Sequence, residues 1–234
     1  MLDPSLRKDF GEGKMKRSFC TVFVLANLTV NFPAFGEIFG CPEPVHVDGQ
    51  YGPFDYTNPI HFRERLPIVE GAHFNSIVER LAGGAKGESK APTAPAGDID
   101  YTLRAFPNHH RALVAMLRLT FKLNNPKPHP FHFSAECWLE RAVRWRPEDG
   151  TARMIYGNYL AHAKIKRYDD AIAQYKKAEE TLTNQKTMGN LYYNMGLLYF
   201  NKKDYEKSRD YADKAYARGF PLSGLKEMLA RIGK

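Results

Sequence analysis

Eight histidines are the residues of this chain with the most to offer chemically, because imidazole is both a metal ligand and a proton carrier near neutral pH. His109 and His110 are adjacent, and His129 and His132 lie in the run PHPFHF. Neighbouring side chains on a helix point to different faces, so His109 and His110 do not form the i, i+4 pair of a helical metal site. Glu70 with His73 lacks the second histidine of a zinc-protease motif. A metal- or small-molecule-binding site, with hydrolysis as its chemistry, would need Glu70, His73, His109 and His110 to converge. Other signatures are missing from the sequence: there is no C-x-x-C-H, no G-x-S-x-G and no G-x-x-x-x-G-K-[ST], and GGAKGESK resembles the last only in composition. The expectation is a chain without catalytic residues, metal or cofactor, with the histidine and glutamate cluster as the alternative.

Three cysteines without regular spacing exclude a disulfide-knit miniprotein and a zinc ribbon. Two futures are open for Cys41. It pairs with Cys137, which requires Cα atoms within roughly 7 Å, or it carries a lipid, which precludes the bridge. A buried thiol is the alternative for Cys137.

The elements that must position these residues begin after an unusual start. The cluster Lys14-Met15-Lys16-Arg17 precedes the apolar run FCTVFVLANLTV, residues 19–30. A membrane-spanning helix needs roughly 20 apolar residues, whereas a charged leader with a shorter apolar stretch has the form of a secretory signal peptide. Residues 1–40 are therefore expected to be a leader, with Met15 as an alternative start. Cleavage falls after Gly36, or else Ile38-Phe39-Gly40-Cys41 serves as a lipoprotein box. Export places the chain in the periplasm or, if Cys41 is acylated, on the outer membrane; a cytoplasmic adaptor with a structural apolar start is the competing reading. The formal charge of +8 keeps its sign when the leader is removed. Outside the cytoplasm that surplus points to acidic peptides or other envelope anions rather than to nucleic acid.

Residues 41–106 read as a front module, extended and Pro/Gly-rich at first, with one short helix carrying Phe74, Ile77, Val78 and Leu81 and a capping box of Ser76 and Glu79. Residues 83–98 read as a flexible linker. From residue 107 onward the pattern is helix pairs. Tyr168, Ala171, Tyr175 and Ala178 are matched 37 residues later by Tyr205, Ser208, Ala212 and Ala215. An earlier copy has Ala135, Trp138, Leu139, Ala142 and Val143 as one helical stripe, preceded by a helix from Asn108, as its cap, to Leu123.

The run YYNMGLLYF followed by YEKSRDYADKAYARGFP resembles the tetratricopeptide repeat, a helix-turn-helix unit of roughly 34 residues. Tyr192 stands at the Trp position, Met195-Gly196 at Leu-Gly, Tyr199 at Tyr, and Ser208 and Ala215 at the small positions. Ala212 departs from the expected aromatic and Tyr159 from the expected glycine. DYTLRAFPNHHRAL, residues 100–113, is similar to segments that precede repeats in exported bacterial proteins. The resemblance implies an all-α solenoid of about three repeats over residues 107–234, closed by a capping helix around Leu225, Met228 and Leu229. It also implies a scaffold that binds a protein or peptide in a groove lined by the first helix of each pair. The groove positions here are Arg111, Arg118, Arg153, Tyr156, Asn190, Tyr193 and Asn201, interspersed with Val114, Phe121, Lys122, Leu160, Ala163, Lys164, Leu197 and Phe200. A basic and aromatic lining of this kind suits an acidic peptide.

Overall fold

The computed structural model describes residues 40–233; residues 1–39 of the expected leader, with the cleavage site after Gly36, lie outside the described residues. Within them the protein is all-α with one two-stranded hairpin. The helices are α1 (Pro59–Glu64), α2 (Leu66–His73), α3 (Ser76–Glu79), α4 (Ala96–Ala105), α5 (His110–Leu123), α6 (Ala135–Trp145), α7 (Gly150–Ala161), α8 (Tyr168–Thr181), α9 (Gln185–Asn201), α10 (Tyr205–Tyr216) and α11 (Gly224–Ile232). The hairpin pairs β1 (Gly83–Gly84) with β2 (Gly87–Glu88), antiparallel, Gly83 opposite Glu88. No helix among the described residues is long and apolar enough to cross a membrane.

Side-chain caps set most helix starts. Asn58, Asn75, Ser134, Asp149, Asn184 and Asp204 each accept from a backbone N–H of the first turn, satisfying donors the helix leaves unpaired. Two expected caps are corrected. Asn75, not Ser76, caps α3, because its side chain accepts from Ile77 and Val78, and Glu79 turns away to Arg111. His109 Nδ1, not Asn108, accepts from Ala112 at the start of α5.

The helices of the second half pack as antiparallel neighbours, α7 along α8 and α9 along α10. Small residues on a shared register make this possible: Ala171, Ala178, Ser208 and Ala215 are fully buried. Gly157 lies under the Tyr175 ring so closely that a Cβ there would sit 2.3 Å from Tyr175 Cε1. Gly196 meets Ser208, whose hydroxyl donates to the Gly196 carbonyl at 2.8 Å. Ala212, standing where Tyr175 stands one unit earlier, leaves space into which α11 inserts Leu225 and Leu229.

The segment 83–98, expected as a flexible linker, is folded. Its hairpin is tied down by Asp98, whose carboxylate accepts from the Ala85 N–H at 2.8 Å and pairs with His73 Nδ1 at 2.8 Å. Ala96 and Ile99 at the start of α4 are fully buried. A low apolar content concealed a segment held by one carboxylate and two core side chains. The expected front helix through Leu81 also shrinks to the single turn of α3, while α1, α2 and α4 are helices that the sequence reading did not assign. Leu66, Val69, Ala105 and Phe106 form their small core, flanked by Tyr51, Phe54, Tyr56 and Tyr101.

Candidate functional site

A groove of about 270 Å³ runs between α5 and α7, the first helices of successive pairs. Residues spaced by three and four on α5 supply one wall: Arg111, Val114, Ala115 and Arg118, with His110 at the end. Thr151, Met154, Ile155 and Asn158 on α7 supply the other, and Glu79 of α3 closes one end. Val114 is 43% exposed, an apolar side chain between the exposed Arg111 and Arg118 on one face of α5. Asn158 is fixed by two donors, Tyr175 Oη at 2.8 Å and Asn194 Nδ2 at 2.9 Å.

Charge around the groove is unevenly committed. Arg111 donates from Nε to Glu79 Oε1 at 2.8 Å, from a terminal nitrogen to Glu79 Oε2, and from the other to Glu70 Oε1 at 3.0 Å. These bonds hold the Glu79 carboxyl below its ordinary range and raise the Arg111 guanidinium. Arg118 is exposed and, among the described residues, donates to the Glu79 main-chain oxygen alone, at 3.4 Å. Lys122, one turn further on, is exposed as well.

Behind the groove lies a polar network joining the front module to α5, α6 and α7. Asn108, fully buried, donates to Asp55 Oδ1 at 3.0 Å and to Asp149 Oδ2 at 2.9 Å, and accepts from the Tyr56 N–H at 2.9 Å. Arg146 Nε pairs with Asp55 Oδ2 at 2.7 Å, and His110 Nε2 with both Asp149 oxygens at 2.8 and 2.9 Å. Burial pushes both carboxyls up, but hydrogen bonds outweigh it: Arg146, Thr57 and Asn108 hold Asp55 low, and His110, the Ala152 N–H and Asn108 hold Asp149 low. His109 is fully buried; since its Nδ1 accepts from Ala112, the proton is assigned to Nε2, which faces Glu70 Oε1 at 3.0 Å. Burial lowers its pKa more than Glu70 raises it, which favours neutral imidazole.

The four residues of the alternative site do not converge. Glu70 meets His109, His110 turns to Asp149, and His73 pairs with Asp98 while stacking on Tyr101 at 3.9 Å. His132 Nδ1 pairs with Asp100 Oδ2 at 2.7 Å. Each of these four imidazoles therefore meets its own carboxylate and ties two segments together. No group of three or more His, Cys, Asp or Glu among the described residues is placed to hold a metal ion.

Of the expected groove residues, Arg111 and Arg118, with Val114, line the groove. Arg153 turns the other way, nearly buried, donating to the Pro147 carbonyl at 2.5 Å and Gln174 Oε1 at 3.2 Å, and burial lowers its pKa. Tyr156 is buried and donates to Glu136 Oε1 at 3.2 Å. The groove face of α7 is instead displaced by two residues, and two residues rotate a helical face by roughly 200°. Tyr193 stacks on Phe220 at 4.0 Å and faces α11. Asn190 is half-buried and Asn201 exposed, both on α9 and outside this groove. Met154, Ile155, Asn158 and Glu79 were missed as groove residues; the 36-residue spacing of the bonded pair Asn158 and Asn194 is the signal that marks the α7 face.

Cys41 and Cys137 form a disulfide with Cα atoms 5.5 Å apart. The adjoining backbone is held by Arg144, which donates to the Cys41 carbonyl at 2.9 Å, and by Arg141, which donates to the Pro42 carbonyl at 2.5 Å. With its sulfur in the bridge, Cys41 has no thiol to acylate. Searches against family models, curated proteins and solved structures return no match to this chain.

Proposed function

We propose that this protein is an exported, non-enzymatic scaffold of the tetratricopeptide type, whose groove between α5 and α7 takes an acidic, extended protein segment. The helix pairs with small residues at matched positions support the repeat reading. The Cys41–Cys137 bridge supports an oxidising compartment, such as the periplasm. The observation that carries the binding function is the juxtaposition of exposed Val114 with Arg118, whose guanidinium meets one carbonyl at long range. An apolar side chain of the ligand covers Val114 and a carboxylate pairs with Arg118; charge-assisted bonds of this kind are the strong ones in peptide recognition.

Fluorescence polarisation tests this with a short labelled peptide of alternating Glu and Leu, and an alternating Lys and Leu peptide as control. The acidic peptide is expected to bind, with Arg118→Glu weakening it by about tenfold or more, the loss of one charge-assisted pair. Equal binding of the two peptides, or an Arg118→Glu variant that binds like the parent, overturns the reading.

A further inference from the structure

Both arginines of the groove are engaged by one residue, Glu79. Its carboxylate takes two nitrogens of Arg111 and its carbonyl takes Arg118. Glu79 ends α3, a single turn that packs on α5 and buries only Val78. A carboxylate at the end of a short segment, lying against Arg111, is the arrangement an acidic ligand would adopt in the same place.

The pair is also replaceable. Arg111 and Glu79 side chains are 45% and 36% exposed, so water or another carboxylate can reach both partners. If Glu79 leaves, Arg111 keeps Glu70 at 3.0 Å, so no uncompensated charge is stranded. Val78 remains to anchor the turn while the Glu79 side chain swings out to water.

We propose that Glu79 is a tethered stand-in for the ligand, and that the partner is a segment with one carboxylate that displaces Glu79 from Arg111, a second that pairs with Arg118 and an apolar side chain between them that covers Val114. The inference rests on the groove reading above and adds to it both a ligand geometry and a built-in competitor. A tethered competitor lowers apparent affinity by the fraction of time it occupies the site.

The same acidic peptide is titrated into the parent chain, Glu79→Gln and Glu88→Gln. Glu88 pairs with Arg80 on the hairpin, outside the groove, and its replacement removes the same charge. Glu79→Gln is expected to tighten binding by about fivefold and Glu88→Gln to leave it unchanged. Equal affinity of Glu79→Gln and the parent, or equal tightening by both variants, overturns the stand-in while leaving the groove intact. Absence of binding to all three chains overturns the groove and the stand-in together. A measurement on the unmutated chain guards against a misfolded variant: carbodiimide labelling of Glu79, read by mass spectrometry, is expected to rise when the peptide saturates the groove. Unchanged or reduced labelling overturns the displacement.

Discussion

Around Asn108 the protein joins its segments with buried polar groups; around Gly157 it joins them by fitting an aromatic ring over a missing side chain. In the first region Asp55, Asn108, Asp149, His110 and Arg146 satisfy one another, and the Cys41–Cys137 bridge adds a covalent tie. In the second, Tyr175, Ala171, Ala178, Ser208 and Ala215 interlock with few charges. Irregular segments such as 41–58 have no repeating apolar face to bury, so directional bonds must fix them. Helix pairs have such a face and need little else.

The contrast is tested most strongly at the bridge. Cys41→Ser is expected to cost the front region about 4–5 kcal/mol, the scale for closing a loop of nearly a hundred residues in the unfolded chain, read by urea titration. Asn108→Ala comes next. It removes one donor from each of two buried carboxylates and the acceptor of the Tyr56 N–H, and is expected to cost about 3 kcal/mol by the same titration. Acid should attack the same region. Asp55 and Asp149 have folded pKa values below their unfolded 3.8, so their stabilisation is complete above that pH and is lost as pH falls through the lower folded values. His109, depressed below its unfolded 6.5, acts with the same sign and starts the loss as pH falls below about that value. Hydrogen exchange at stepped pH is expected to show α5 and the front module opening before α9 and α10; simultaneous opening would erase the distinction.

In the second region, Gly157→Ala is expected to destabilise by about 2 kcal/mol despite alanine's better helix propensity of about 1 kcal/mol. The reason is that the Tyr175 ring 2.3 Å from the new methyl is fully buried and tied to Asn158, so it has no easy retreat. A thermal melt that rises instead would mean that the ring moves. Smallest is Asn184→Ala, which removes the α9 cap bonded to Thr187 and is expected to cost about 1 kcal/mol by denaturant titration.

The same contrast governs how much was legible in the sequence. The paired helices from 150 to 216 announce themselves because Ala171 and Ser208, or Ala178 and Ala215, recur at fixed spacing and packing demands small residues there. Arg111 and Arg118 were placed on this face by the repeat resemblance, which assigns the lining positions of a first helix. Arg153 and Tyr156 were misplaced because the six-residue turn between α7 and α8, against three between α9 and α10, breaks the register that carried the extrapolation. Asn108 and Glu79 carry local cap patterns that the fold does not use, and Asp98 carries none. Each acts through partners distant in the chain, such as Asp149 for Asn108 and His73 for Asp98, and such pairings depend on the completed fold.

The bridge between Cys41 and Cys137 closes a covalent ring that contains the front module, α4, α5 and the start of α6. Lys86 and Lys90 are exposed within that ring, in and just after the β-hairpin. A protease that cuts the chain there severs the backbone without releasing either piece. The nicked protein keeps its mass apart from one added water and separates into two fragments only when a reductant opens the ring.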